Sequence, residues 1–137
     1  MDNMKEIVVV TECYKGRTYW IKKNILGPMY WWYTAYVDNN DNKFSSDSDV
    51  DSNINCHEGC TFFGSSTNIL KDLNIDRNIF GWDYAHWNDL VTDIADNFNT
   101  LSDFINTNVM YSKVRLEDVI TDCKNVIDQI ENEKHNI

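Results

Sequence analysis

Apolar and polar positions alternate along the first third of the chain and change to a three-to-four period near its end. Ile7-Val8-Val9-Val10-Thr11 is a β-branched run, separated by Lys15-Gly16 from Thr18-Tyr19-Trp20-Ile21, and the pair reads as a β-hairpin. Gly27-Pro28 breaks the chain. Met29-Tyr30-Trp31-Trp32-Tyr33-Thr34-Ala35-Tyr36-Val37 then carries rings at both odd and even positions, so a third strand is expected, covered on both faces.

Residues 38–53 are almost wholly polar and predict a long mobile loop of the kind that serves as a lid. Cys60-Thr61-Phe62-Phe63 reads as a short strand. Ser65-Ser66-Thr67-Asn68 is suited to cap a brief helical turn near Leu70-Lys71-Asp72-Leu73. Asn78 to Asp83 reads as a further strand, whose end delivers Asp83 and His86 into the loop that follows.

From Asn88 the period lengthens: Leu90, Val91, Ile94, Ala95 and Phe98 share one helical face, and Leu101, Phe104 and Ile105 continue it after a break at Asn99-Thr100. The clearest stripe is the last one, Leu116, Val119, Ile120, Cys123, Val126, Ile127 and Ile130, with Asp118, Asp122, Lys124, Asp128 and Glu131 turned outward. Strands first and helices last predict an α+β single domain over residues 1–137, an antiparallel sheet with a long C-terminal helix packed on it. No internal repeat is present.

The 137 residues, 42% hydrophobic and 13% aromatic, are enough to bury one core. Twenty-two acidic against 12 basic residues give a net charge of -10, which argues against a nucleic-acid polymer or an anionic membrane as partner. Such a charge serves solubility, or else a DNA-mimicking inhibitor. The dense acidic run Asp47-Ser48-Asp49-Val50-Asp51 sits among Ser and Asn and reads as a solvated loop. No basic start precedes an apolar run, and no window reaches the ~18 apolar residues of a membrane span, so a cytosolic protein with reduced thiols at Cys13, Cys56, Cys60 and Cys123 is expected.

Side chains capable of chemistry concentrate in residues 54–64 and 79–89. His57 is bracketed by Cys56 and Cys60 and followed by Glu58-Gly59. Cys56, His57 and Cys60, completed by His86 or Asp83, supply zinc-type donors, but adjacent Cys56 and His57 diverge in an extended segment, and no metal is expected. A histidine hydrogen-bonded in a tight turn and a ligand-contacting histidine are the other readings. Asp83, His86 and Asp89 recur at intervals of three, a spacing that serves either a carboxylate-oriented general base or a helix N-terminus capped by Asp83. No nucleophile elbow or phosphate-cradling glycine loop occurs, and no catalytic residue is assigned. Trp31, Trp32, Tyr36, Trp82 and Trp87 can furnish a stacking platform or fill the core, and Arg17, Lys22, Lys23, Arg77, Lys113 and Arg115 are candidate anion contacts.

In these motifs the chain resembles a family of small phage and prophage proteins marked by H-G-G-x-T-[FY], then G-F-D-x-x-H-x-x-D, then a terminal helix ending near Q-L. His57, Gly59, Thr61 and Phe62 match the first motif, and Gly81, Asp83, His86 and Asp89 the second. Glu117 to Ile130 is similar to the terminal helix, and Ala35-Tyr36-Val37 to the opening strand, so the likeness spans Tyr33 to Ile130. Glu58 replaces a glycine of the pattern, Trp82 replaces its phenylalanine, and Cys60 lies outside it. A left-handed backbone at residue 58 would therefore carry a side-chain penalty.

The resemblance implies a phage or prophage origin, and small phage proteins of this kind are often counter-defence factors, so the expectation is a phage-encoded protein in the host cytosol that binds and sequesters a small nucleotide-like signalling molecule. The ligand-binding residues expected are His57, Thr61, Trp82, Asp83, His86, Asp89 and Arg115. A metal-assisted or acid/base hydrolase of such a ligand and an acidic inhibitor of a host nuclease are the alternatives. The expected partner is the small ligand, without nucleic-acid polymer or membrane, and a homo-oligomer is compatible with the reading.

Overall fold

The structure, a computed structural model, describes residues 4–26, 30–85, 110–111 and 114–133. In chain order the described elements are β1 (Met4–Tyr14), β2 (Arg17–Leu26), β3 (Tyr30–Asp38), α1 (Asp47–Asn53), β4 (Phe62–Ser65), a 3-10 turn (Lys71–Leu73), β5 (Asn78–Asp83), β6 (Met110–Tyr111) and α2 (Leu116–Glu133). Expectations placed between 86 and 109, including His86, Trp87, Asp89 and the helix after Asn88, and those for Lys113, lie outside the described residues.

β1 and β2 close through Lys15 and Gly16, at φ 51° and 84°, which places both turn residues in the left-handed region that matches the twist of a hairpin. The strands run past the apolar runs that announce them, because Lys22 and Asn24 continue the alternation of β2 with polar side chains. The sheet order is β1-β2-β3-β5-β4, antiparallel throughout, and β6 adds a short parallel pairing with Tyr30 and Trp31. Between Val8 and Val10 the β1 register shifts by one residue, a bulge that exchanges the faces of the two halves of β1.

One face carries the larger core. Tyr19, Ile21, Tyr33, Ala35, Val37, Phe80, Trp82 and Tyr84 from the sheet meet Val119, Cys123, Val126, Ile127 and Ile130 of α2. Each Val or Ile of this stripe contributes about 1.5–3 kcal/mol on full burial, which anchors the helix on the sheet. The α+β arrangement and the docking of the terminal helix agree with the sequence.

The expected loop over 38–53 contains the two-turn helix α1. Ser46 caps it, accepting a 3.1 Å hydrogen bond from the Asp49 amide. The polar run conceals two apolar anchors, Phe44 and Val50, and Ile54 follows it; all three are buried in the helix-side core. Asn39 fastens the same stretch, its side chain donating to the Phe44 carbonyl at 3.1 Å and accepting from the Phe44 amide at 3.0 Å.

The far face is covered differently. Trp20, Tyr36 and Ile79 pack there with Leu70, and Ile69, Leu73 and Ile75 border them, so the expected turn near 70–73 forms the lid of a second, smaller core.

Candidate functional site

Strand alternation decides which candidate residues can meet. On β5, Phe80 and Trp82, followed by Tyr84, face α2, while Ile79 joins the core of the opposite side and Gly81 and Asp83 share its parity. His57 stacks on Tyr84, with ring centroids 4.4 Å apart and planes 23° apart. His57 and Asp83 therefore lie on opposite sides of the sheet, and the single pocket expected around His57, Asp83 and His86 is not assembled from these two.

The His57 side is built on a tight turn. Gly59 donates to the Cys56 carbonyl at 3.1 Å, and Glu58 does adopt the left-handed backbone, at φ 58°, with Gly59 following at 89°. The Cys60 amide donates to Asp51 at 2.8 Å, which ties the turn to α1. Beneath the imidazole, Trp82 Nε1 donates to the Tyr84 hydroxyl at 3.0 Å, and that hydroxyl donates to Asp122 at 2.7 Å. Burial, reinforced by Asp122, drives the Tyr84 phenol far above its ordinary value and keeps it a donor.

Trp82 is 1% exposed, so the ring expected to touch ligand is a core residue that supports Tyr84. Burial also pushes the Cys56 thiol up to about 12 and raises that of Cys60, so both stay protonated. Among the described residues no group of three or more His, Cys, Asp or Glu side chains is arranged to hold a metal ion.

Thr61 is exposed, and its amide donates to the Gly81 carbonyl at 2.9 Å, the contact that starts β4. Arg115 is 77% exposed at the start of α2 and pairs with Glu117 at 3.2 Å and, more loosely, with Asp118 at 4.0 Å.

The far face gathers a denser set of polar groups. Pairing of β2 with β3 and of β3 with β5 lines up Lys22, Thr34 and Asp83 as direct cross-strand neighbours, and Asn24 stands opposite Trp32. The row is flanked by Tyr36 on one side and Trp32 on the other. Lys22 and Asn24 are each only 3% exposed. The Lys22 ammonium pairs with Glu6, donates to the Ile69 carbonyl at 2.9 Å and lies 5.8 Å from the Tyr36 ring centre. Asn24 Nδ2 donates to Thr34 Oγ1 at 3.2 Å and weakly to the Trp32 carbonyl at 3.4 Å. Burial raises the Tyr36 phenol, so it too remains a donor.

Gly81 makes room for the Tyr36 ring beside this row. A Cβ there would lie 2.4 Å from the Ala35 carbonyl oxygen and 2.5 Å from Tyr36 Cδ1, because the Tyr36 ring lies over the glycine and meets Phe62 edge-on at 5.9 Å beyond it. The glycine of the second motif is thus required by both the backbone and a ring of the neighbouring strand. Asp83, next on that face, accepts from the Ala85 amide at 3.1 Å.

Two clefts of about 340 Å³ each lie away from this row. One is lined by Arg17, Asp38, Asn40, Asp41, Arg77 and Glu131, the other by Asn39, Asn42, Phe44, Ser45, Phe63 and Asn78. In the first, Arg17 chelates Asp41 at 2.8 and 3.1 Å and Arg77 chelates Asp38 at 2.8 and 2.9 Å, so both guanidinium groups already hold carboxylates. Both clefts are thus separate from the far-face row, and the candidate site is placed by the side chains of that row.

Lys22 was within reach of sequence reasoning as a cation in a strand. Asn24 and Thr34 were missed, although polar residues at the inward positions of an alternating strand are the signal that could have found them. Comparison of the chain with protein-family models, curated proteins and solved structures finds no match.

Proposed function

We propose that this protein binds a small nucleotide-like molecule on the far face of its sheet and holds it without chemical change. The observation that carries the reading is the in-register row Lys22–Thr34–Asp83, with Asn24 beside it and the rings of Trp32 and Tyr36 at its two sides. In this row the half-buried Thr34 hydroxyl and Asp83 carboxylate would meet the ligand, while Lys22 and Asn24, buried and held by Glu6, Ile69 and Thr34, lie behind them and set the charge and position of the row. Rings at the ends suit a flat heterocycle, and the polar groups suit its edge and its hydroxyls. The phage resemblance of the Gly81, Asp83 motif extends the proposal to capture of a host defence signal in the cytosol.

The test is incubation with a panel of cyclic and linear nucleotides, removal of unbound material, heat release and chromatography. Recovery of an intact nucleotide supports capture. A converted product would replace capture with hydrolysis, and retention of no nucleotide would overturn the proposal.

A further inference from the structure

We propose that β1 is a self-association edge, pairing antiparallel with β1 of a second copy of this chain so that one sheet runs through both. Among the described residues β1 ends the sheet order and has β2 as its partner. It is a long edge, spanning Met4–Tyr14, and it carries the large hydrophobic side chains that stand exposed among the described residues, Ile7 at 46% and Val9 at 39%. An edge of this length bearing apolar side chains is a template for another strand.

The bulge selects how a second copy would pair. Before it, Lys5 and Ile7 stand opposite Ile25 and Lys23 on the α2 side, and Glu6 and Val8 stand opposite Asn24 and Lys22 on the far side. After it, Val10 and Glu12 stand opposite Ile21 and Tyr19 on the α2 side, and Thr11 opposite Trp20 on the far side. Two strands related by a two-fold axis perpendicular to the sheet must pair residues of the same face.

A register centred on Val9, with Val9 opposite Val9, puts Glu6 against Glu12 and mixes the faces. Centring between Val8 and Val9 keeps the faces matched throughout. It sets Lys5 opposite Glu12, Glu6 opposite Thr11 and Ile7 opposite Val10. The register one step further also matches faces, but it sets Ile7 against Glu12 and Lys5 against Tyr14. Charge complementarity thus picks one pairing, in which Lys5 of one copy joins at each end a Glu12 that already accepts from Tyr19 at 3.0 Å and pairs with Lys124 at 3.6 Å, and Ile7, Val8, Val9 and Val10 lie around the axis.

A contact confined to one strand pair is small beside the roughly 1,200–2,000 Å² of stable interfaces, so a concentration-dependent dimer is expected. The experiment is sedimentation of the full chain across a concentration series, with thermal unfolding of every variant as a control for folding. Wild type should shift from monomer to dimer. Lys5→Glu and Val9→Lys should each weaken association by about tenfold or more, since the first sets like charges opposite each other at both ends and the second brings two lysines diagonally together across the axis. Combining Lys5→Glu with Glu12→Lys should restore the dimer. A wild type that stays monomeric to its solubility limit, a dimer indifferent to both single replacements, or a folded double variant that fails to recover would each overturn the proposal.

Discussion

His57 and Asp83 lie on opposite faces of one sheet, although both belong to motifs of the sequence that read as one pocket. His57 reaches the α2 side by stacking on Tyr84, and Asp83, the residue before Tyr84, points away from it by the alternation of β5. The two motifs are joined through backbone, by the Thr61 amide on the Gly81 carbonyl, and the side chains that follow diverge.

The support beneath His57 should be measurable. Tyr84→Phe removes a hydroxyl that accepts from Trp82 and donates to Asp122, leaving a buried indole donor unsatisfied. Chemical denaturation should show a loss of about 1–3 kcal/mol. A change within experimental error would mean that water replaces the hydroxyl and that the Trp82–Tyr84–Asp122 chain does not hold the fold.

Gly81→Ala should be costly for a small change. The added methyl meets both the Ala35 backbone oxygen and the Tyr36 ring inside contact distance, and of these only the ring can move. We expect about 1–3 kcal/mol of destabilisation. Tyr36→Leu in the same background should recover part of it, and no recovery would place the clash in the backbone alone.

Thiol reactivity should separate the cysteines. Cys13 is exposed, whereas Cys123 is buried and burial raises the thiols of Cys56, Cys60 and Cys123. A disulfide reagent at mildly alkaline pH should modify Cys13 quickly and the others only after denaturant is added. Rapid modification of Cys56 in the native protein would contradict the packing of the His57 turn.

The hairpin and the terminal helix are linked by Lys15 and Asp128, 2.6 Å apart, with Tyr14 also donating to Asp128. Asp128 is held below the usual carboxylate range, first by its bond to Lys15, so its contribution is present above the unfolded pKa and is lost as pH falls through the folded one. Lys15 is raised by the same pair, so its contribution is present below its unfolded pKa and is lost as pH rises through the folded value. Asp128→Asn should flatten both limbs of the melting-temperature profile slightly, since the pair is solvent-exposed. An unchanged profile would show that the pair does not contribute in solution.

Much of the architecture was legible because period and punctuation agree: Lys15-Gly16 at the hairpin, Asn78 to Asp83 as a strand, and the stripe from Leu116 to Ile130. The helix α1 was hidden because Phe44, Val50 and Ile54 are too sparse to outweigh the polar residues between them. The site was only partly legible. An interval of three between Asp83 and His86 suggested a helical face, but Asp83 ends a strand, where the relevant period is two and its neighbour Trp82 must enter the core. The far-face row could not be read from local spacing, since Lys22, Thr34 and Asp83 become neighbours only through the registers of three strands.

The proposed function places ligand on the Asp83 face and not on the His57 face. Calorimetric titration of the retained nucleotide into wild type, Asp83→Asn, Asn24→Ala and His57→Ala, each first shown to be folded, tests it most directly. Asp83→Asn and Asn24→Ala should each weaken binding by about tenfold or more, the scale of one buried hydrogen bond left unmade, while His57→Ala binds as wild type. Binding lost in folded His57→Ala and kept in the two far-face variants would contradict the claim.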